Sequence, residues 1–264
     1  MKNLYESILS DIDVTLTDSD IKVTHILIQK YLEDNYNGNW IISEKPNKDG
    51  LYEVSSNKSI KVKNKQIVSL TNDLFIWTSV KGYFDCSSCK SLKSLNGAPV
   101  IVKGDFNCYD CSGLKSLNGA PKEVGGFFNC SDCNGLESLE GAPKEVIKNF
   151  DCSSCKSLKS LNGAPVIVKG DFNCYDCSGL KSLKGAPEEV EGTFYCYDCS
   201  GLKSLDGAPK KVEGTFYCRN CSRLESLKGA PKEVRTYFDC SNCGKSFTED
   251  DIKKVSKVNT NIYC

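Results

Sequence analysis

The sequence predicts a repeat solenoid with one short parallel β-strand in each 22-residue coil, with an α+β cap at the N-terminal side and a helix-strand cap at the C-terminal side. Three observations predict it. Phenylalanine recurs every 22 residues, two cysteines follow each phenylalanine at fixed distances, and Gly-Ala-Pro closes most units. Internal repeats of about 20 to 50 residues are typical of solenoids, whose coils stack because none can bury its apolar residues alone.

Each unit reads V-x-x-x-F-x-C-x-x-C-x-x-L-x-x-L-x-G-A-P. The pattern Phe-x-Cys alternates with period two, which predicts a short strand with Phe and the first Cys on one side. Gly and Pro elsewhere in the unit require turns and exclude a long helix. The strands of neighbouring coils are therefore expected to form one parallel sheet. The eight phenylalanines of this frame are Phe84, Phe106, Phe128, Phe150, Phe172, Phe194, Phe216 and Phe238.

Whole coils are also duplicated. Residues 84–121 and 150–187 are identical except that Asn118 corresponds to Lys184. An array that lengthens by units is more typical of a binding scaffold than of an enzyme built around one fixed site.

The flanking segments are interpreted as caps over the ends of the core. We divide the chain into an N-terminal cap (1–59), a degenerate first coil (60–83), the cysteine-containing repeats (84–247) and a C-terminal cap (248–264). The first 36 residues predict two helices, the second running from Ser19 to Asn35 behind a capping box at Thr17 and Asp20. Short strands are expected around 40–42 and 51–54.

The last two parts of the chain imitate the repeat. Ile60 and Val62 stand where the repeat has Phe and the first Cys. A helix is predicted from Thr248 to Val258, and Ile262 and Cys264 then return to the strand positions. The seventeenth cysteine is thereby explained as one more strand position.

The motif F-x-C-x-x-C-x-x-L-x-x-L, aligned on L-x-L-x-x-(N/C)-x-L, resembles a leucine-rich repeat over about residues 60–264. The short unit with Pro in its return arm is similar to bacterial leucine-rich repeats of secreted effectors and to repeat proteins of gut bacteria and their phages. The resemblance implies that the second Cys takes the place of the family's inward Asn or Cys. One departure is that Leu follows this Cys by three residues rather than two, so we expect a different turn.

Composition argues against several classes of protein. The 34 basic and 34 acidic residues balance, which argues against a nucleic-acid binder. No apolar run reaches the length of a membrane span, and the start MKNLYESILSD is too polar for a signal peptide. Seventeen cysteines without such a signal predict a reducing, cytoplasmic location. The resemblance adds a phage-encoded protein in a bacterial host as one source.

The paired cysteines allow two interpretations. Successive C-x-x-C pairs are separated by 18 residues, within the spacing of zinc ribbons, so adjacent coils could hold Zn or an iron–sulfur cluster. Alternatively both cysteines point inward as small apolar residues. We favour the second interpretation, without a cofactor, because the first Cys shares its strand face with Phe. The metal alternative concerns Cys86, Cys89, Cys108, Cys111, Cys130, Cys133, Cys152, Cys155, Cys174, Cys177, Cys196, Cys199, Cys218, Cys221, Cys240 and Cys243.

Catalytic chemistry is not expected. A reactive thiol needs an electropositive, partly exposed setting, often beside a histidine. His25 is the single histidine and lies far in sequence from any cysteine, on the flank of a predicted helix. We therefore predict that the protein is not an enzyme.

Function in a solenoid usually lies on the strand face that the repeat leaves free. We expect that face to be acidic and to carry tyrosines, with Arg219 as its single base. The acidic positions are Asp85, Asp105, Asp110, Asp132, Asp151, Asp171, Asp176, Asp198 and Asp239. Lysines recur instead on the return arm between the two Leu positions, at Lys93, Lys115, Lys159, Lys181 and Lys203.

Tyrosine offers a large contact area at small entropic cost, and an acidic field suits a basic protein or peptide. A merely solvated surface would carry the same residue types, so two interpretations remain. We predict a non-enzymatic protein-interaction scaffold that binds neither nucleic acid nor a membrane. Its predicted partner-binding residues are Tyr109, Tyr175, Asp176, Tyr195, Tyr197, Asp198, Tyr217 and Arg219.

Overall fold

The computed structural model describes residues 17–264 and confirms the predicted solenoid. Neighbouring coils pair in parallel and in register, so each repeat phenylalanine lies beside the phenylalanine of the next coil, as Phe150 does beside Phe172. The first of the two predicted N-terminal helices falls before Thr17, outside the described residues.

Two sheets run the length of the solenoid, and we name them after their inward residues. The Phe sheet consists, in order, of β1 (Tyr36–Asn37), β4 (Ile60–Val62), β6 (Phe84–Asp85), β8 (Phe106–Asn107), β10 (Phe128–Asn129), β12 (Phe150–Asp151), β14 (Phe172–Asn173), β16 (Phe194–Tyr195), β18 (Phe216–Tyr217), β20 (Phe238–Asp239) and β22 (Ile262–Tyr263). The Val sheet consists of β2 (Ile41–Ile42), β3 (Tyr52–Ser56), β5 (Phe75–Val80), β7 (Ile101–Val102), β9 (Glu123–Val124), β11 (Glu145–Val146), β13 (Ile167–Val168), β15 (Glu189–Val190), β17 (Lys211–Val212), β19 (Glu233–Val234) and β21 (Lys257–Val258).

The predicted strand at Phe is present in every repeat, and the structure adds a second two-residue strand that ends on the repeat valine. A strand of two residues makes too few contacts of its own to be stable. Each is held by the equivalent strand of the coil before and the coil after it.

The core is a set of columns, one for each inward position of the repeat. The ring centroids of adjacent phenylalanines lie 5.1 to 5.9 Å apart. The Leu pair and the valine of each repeat are buried with them, as is the first Cys. Stacking identical side chains in register therefore removes the inward apolar side chains of each coil from water.

The N-terminal cap covers one end of these columns. Helix α1 (Asp18–Asn35) begins behind the predicted capping box, in which Thr17 and Asp20 exchange hydrogen bonds. Its buried residues are Ile28 and Leu32. Beside the helix, β1 pairs with β4 and β2 pairs with β3, both antiparallel, before the parallel register begins.

The C-terminal cap differs from its prediction in helix length. Helix α2 (Glu249–Lys253) begins after Thr248, as expected, but ends at Lys253 because Lys257 and Val258 pair with β19 as a strand. Ile262 then pairs with Phe238 and Cys264 follows β22, as predicted.

A sharp turn follows the Phe-sheet strand of each cysteine-containing repeat. The residue before the second Cys has φ between 54° and 58° in all eight repeats, and it is Ser, Asp or Asn in each. These short polar residues tolerate the left-handed region better than other non-glycine residues. The turn places the residue after the first Cys beside the strand rather than on it, which decides the geometry of the surface described next.

Candidate protein-interaction surface

Four of the predicted tyrosines form one contiguous cluster on three neighbouring coils. Tyr175 stacks on Tyr197 with centroids 4.8 Å apart, and Tyr195 stacks on Tyr217 at 5.4 Å. An edge contact of 6.2 Å between Tyr195 and Tyr197 joins the two stacks. The guanidinium of Arg219 lies 5.3 Å from the Tyr197 centroid and 5.9 Å from that of Tyr217. We call these five residues the tyrosine cluster.

The cluster draws on two columns of the repeat. Tyr195 and Tyr217 are the second residues of β16 and β18. Tyr175, Tyr197 and Arg219 instead follow the first Cys, in the turn beyond the strand. All five residues were predicted to lie on the strand face. Tyr175, Tyr197 and Arg219 are each followed by a residue with left-handed backbone conformation, such as Asp198 with φ 57°, and the chain turns away from the strand at that residue.

Tyr109 does not belong to the cluster. It occupies the same turn column as Tyr175, but Ser131 and Ser153 occupy the two coils between them. Its side chain is exposed, and the charge of the Asp132 carboxylate raises the pKa of its hydroxyl.

The expectation of a uniformly acidic, exposed face is wrong at Asp85 and Asp239, which are buried. The reason is a local turn. The side-chain oxygen of each accepts a hydrogen bond from the backbone N–H two residues on, at Ser87 (2.8 Å) and Ser241 (3.0 Å). This is an Asx turn, in which a side chain takes the place of a backbone acceptor.

Six of the eight repeats use this Asx turn at the second strand position. The acceptors are Asp85, Asn107, Asn129, Asp151, Asn173 and Asp239. Tyr195 and Tyr217 occupy the two remaining positions, and a phenol ring cannot supply this acceptor. This exception was not predicted, although it is visible in the sequence when the residues at this one position are compared across the repeats.

Other acidic residues also make contacts within the solenoid. Asp105 and Asp171 accept hydrogen bonds from the backbone of the next coil, at Phe127 and Thr193, both 2.8 Å. Asp110 forms an ion pair with Lys90 at 3.2 Å, and Asp176 pairs with Lys156. The two ion pairs reduce the negative charge that remains for a partner, whereas Asp105 and Asp171 keep theirs. Asp198 lies within this part of the surface, half-buried beside Tyr197.

Two hydroxyls of the cluster, those of Tyr195 and Tyr197, have pKa values raised above the ordinary value of tyrosine. Burial raises the pKa of Tyr195, with a contribution from the negative charge of Asp171. Burial also raises the pKa of Tyr197, where Tyr175 and Asp198 act in the same direction. These two hydroxyls therefore keep their protons at neutral pH and can donate as well as accept a hydrogen bond.

The return-arm lysines are exposed, as predicted, but they alternate with acids. Lys115 and Lys159 both pair with Glu137 of the intervening coil, at 3.3 and 3.5 Å. Pairs between such exposed groups contribute little to stability.

The repeat cysteines form two rows of thiols inside the solenoid, which we call the thiol ladder. All seventeen are free thiols, and the sixteen repeat cysteines are buried except Cys243, which is half-buried. From Cys111 onward, the second Cys of each repeat donates its S–H to the carbonyl of the first Cys in the preceding coil, as Cys177 does to Cys152 at 3.2 Å. Burial raises the pKa of the Cys177 thiol to about 12.

Within residues 17–264, no group of three or more His, Cys, Asp or Glu side chains is arranged to hold a metal ion. His25 packs against the N-terminal cap, with Nε2 2.9 Å from the carbonyl of Ser43 and its ring edge-on to Tyr52.

Comparisons of the chain with protein-family models, with curated proteins and with solved structures found no match. Among the helices of the described part, none is long and apolar enough to cross a membrane.

Proposed function

We propose that this protein is a non-enzymatic interaction scaffold that binds a basic protein or peptide through the tyrosine cluster. One observation carries the proposal. At two adjacent coils, Tyr195 and Tyr217 replace the Asx-turn residue that stabilises the same position in the other six repeats. Places where a sequence departs from its own local rule are frequently functional.

The geometry of the cluster supports the same proposal. Stacked rings hold one another in fixed orientations, so little side-chain entropy remains to be lost on binding. Tyr and Arg are also the residue types that dominate binding energy in protein interfaces. Four tyrosines and Arg219 in mutual contact form the type of anchor that a partner side chain would pack against.

A basic partner follows from the neighbouring charges. The half-buried carboxylates of Asp171 and Asp198 flank the cluster, while Arg219 already lies over the rings at one end. A lysine or arginine of the partner would meet these carboxylates, which would increase the association rate and favour basic over acidic peptides.

Panning a random peptide library displayed on phage against the full chain tests the proposal. We expect enriched peptides to carry Lys or Arg. Their binding to Tyr197→Ala should be weaker by about 2 kcal/mol or more, the usual threshold for an interface hot spot. Asp198→Asn should have a smaller effect and a reduced dependence on salt.

Lys181→Ala and Lys203→Ala are the matched controls, since both residues lie on the return arm. If the lysine variants lose the peptides while Tyr197→Ala retains them, the peptides bind the return arm and not the tyrosine cluster, and the proposal is wrong. A library that yields no peptide sensitive to the cluster would favour a merely solvated surface.

A family relation and a cellular location are proposed as well. We propose a relation to bacterial and phage leucine-rich repeats and a reducing, cytoplasmic location. The thiol ladder supports the relation to leucine-rich repeats. The second Cys donates its S–H to a carbonyl of the preceding coil, and it stands at the position where that family has an inward Asn or Cys. Seventeen free thiols support the reducing, cytoplasmic location.

A further inference from the structure

A groove of about 310 Å³ crosses the Phe sheet over the Phe106, Phe128 and Phe150 coils, next to the coils that carry the tyrosine cluster. Its side-chain walls come from the residues that flank the inward phenylalanines. They are Asp105, Asn107, Phe127, Asn129, Asn149 and Asp151. Two of these residues, Asp105 and Asp151, were predicted to be acidic surface residues, and no site was predicted here.

Phe127 is the unusual residue of this groove. Its side chain is 43% exposed, although the same column holds the polar residues Asp105 and Asn149 in the neighbouring coils. The Nζ of Lys148, from the following coil, lies 5.1 Å from its ring centroid. An exposed aromatic ring among fixed polar groups is typical of a small-molecule site, where the ring binds an apolar face of the ligand.

The asparagines of the groove are held in fixed orientations. Oδ1 of Asn107 accepts from the N–H of Tyr109 at 3.0 Å, and Oδ1 of Asn129 accepts from the N–H of Ser131 at 2.9 Å. Their Nδ2 groups take no part in these bonds. Two oriented amide donors therefore remain for a bound molecule.

Carboxylate oxygens supply the complementary acceptors. Oδ1 of Asp105 accepts from the N–H of Phe127 at 2.8 Å, and Oδ1 of Asp151 accepts from the N–H of Ser153 at 2.9 Å. These bonds leave Oδ2 of Asp105 as an acceptor within the groove, while Oδ2 of Asp151 is 3.4 Å from Nδ2 of Asn173.

This mixture of donors and acceptors discriminates between ligands. A guanidinium or ammonium group only donates and would leave the Asn107 and Asn129 amides unmatched. An anion would face two carboxylates, those of Asp105 and Asp151, against the single positive charge of Lys148. Hydroxyl groups both donate and accept, so a polyhydroxylated ligand satisfies both sets.

We propose that this groove binds a neutral hexose unit of a carbohydrate. The C–H face of the sugar lies against Phe127, and its hydroxyls bind the amides of Asn107 and Asn129 and the carboxylate of Asp105. The volume is near the lower limit for ligand sites, which suits one sugar ring rather than a long oligosaccharide. The inference does not rest on the function proposed for the tyrosine cluster.

Saturation-transfer NMR on the full chain tests the site, with glucose, galactose, mannose and N-acetylglucosamine as separate probes. We expect saturable binding of at least one sugar, with a Kd of about 1 mM or lower. Phe127→Ala and Asn107→Ala should each raise that Kd by about tenfold, since each removes one direct contact.

The duplicated segment supplies the matched control. Asn173 makes the same Asx turn as Asn107 within an identical stretch of sequence but does not line the groove. Asn173→Ala removes the same Asx turn and also the 3.4 Å contact with Asp151, whose carboxylate the bound sugar does not use, so it should lower thermal stability at least as much as Asn107→Ala and leave the sugar Kd unchanged. Tyr197→Ala should also leave it unchanged, which separates this site from the tyrosine cluster.

Three results would overturn the proposal. They are the absence of saturable binding for all four sugars, sugar binding that survives Phe127→Ala, and preferential binding of a competing probe. The competing probes are methylguanidinium, for a basic side chain, and glycylglycine amide, for a peptide backbone.

Discussion

At the scale of single residues, the two cysteines of a repeat have different roles. The first, such as Cys174, is a buried side chain on the strand, packed between identical neighbours. The second, such as Cys177, donates its S–H to the Cys152 carbonyl of the coil before. The first Cys therefore stabilises the core by packing, and the second by a hydrogen bond to the preceding coil.

This difference predicts unequal costs for the same substitution. In Cys177→Ser the new hydroxyl can still donate to the Cys152 carbonyl, so the free energy of unfolding should fall by less than about 1 kcal/mol. In Cys174→Ser the hydroxyl enters an apolar column, and the loss should be about 1 to 3 kcal/mol. Urea unfolding of both variants under reducing conditions measures the difference.

Equal losses in the two variants would contradict separate roles. If the purified protein carries several Zn or Fe per chain and a chelator unfolds it, the thiol ladder is wrong and the cysteines are ligands. Elemental analysis of protein purified without added metal supplies that measurement.

The left-handed turn residue predicts a second residue-scale effect. Asp198 has φ 57°, where a β-branched side chain is strained. Asp198→Val should therefore lower the free energy of unfolding by about 1 to 2 kcal/mol, while Asp198→Asn should leave it nearly unchanged. Thermal unfolding of the two variants measures this, and similar melting temperatures would contradict a strained turn.

At the scale of elements, no coil is stable alone. Most strands of both sheets have two residues and depend on the equivalent strand in each adjacent coil. Because the equivalent residues of successive coils pair in register, coils three repeats apart present the same surfaces to their neighbours. Phe84 pairs with Ile60, and Phe150 would pair with Ile60 in the same way.

Deletion of the 66 residues from Phe84 to Asn149 is therefore expected to leave a folded, shorter solenoid. Tyr83 would then precede Phe150, and Asp151 would take the place of Asp85 beside Lys61. The rod should shorten by about 14 Å, three strand spacings. Small-angle scattering and circular dichroism measure length and folding.

Deletion of 64 residues, from Phe84 to Ile147, is the matched control. It leaves two extra residues, Lys148 and Asn149, between Tyr83 and Phe150, so the junction between the two coils is out of register and the product should be less stable than the 66-residue deletion. A 66-residue deletion that behaves as badly would show that the three coils are not interchangeable.

The elements also show where sequence reasoning succeeds and where it stops. The strand at Phe, the capping boxes at Thr17 and Thr248 and the paired cysteines follow from spacing alone. The second strand, at Val146 for example, has two residues and no period to detect, so pairing with the next coil creates it. The burial of Asp85 was missed because an Asx turn, rather than charge, determines its environment.

At the scale of the whole molecule, the repeat determines the core but leaves the surface open. Any polar residue is compatible with an outward position. The repeat pattern therefore identifies Tyr197 as a surface residue, but it does not predict that Tyr197 lies in a turn. The contacts among Tyr175, Tyr195 and Tyr217 depend on the distance between coils, which composition does not contain. The groove at Phe127 was missed for the same reason.

The many buried thiols also give the whole molecule a predicted response to alkaline pH. Burial raises the pKa of Cys177 to about 12 and that of Cys89 and Cys243 to about 11, from an ordinary value of 9.0. Above pH 9 the unfolded chain releases these protons and the folded chain retains them, so the free energy of unfolding falls as pH rises. For the fully buried Cys177 the loss is at most about 1.4 kcal/mol per pH unit between its two pKa values, and it is smaller for Cys243, whose half-buried thiol is partly screened by water.

The melting temperature of the reduced protein should therefore be constant from pH 7 to 8, fall steeply above pH 9 and recover on return to pH 7. Scanning calorimetry with a thiol reductant measures it, and Cys177→Ala should show a shallower fall than the unmodified chain. Metal-bound thiolates would reverse the sign, because they are already deprotonated at neutral pH and lose their metal on acidification. A melting temperature that is flat to pH 10 and falls below pH 6 would therefore replace the thiol ladder with a metal array.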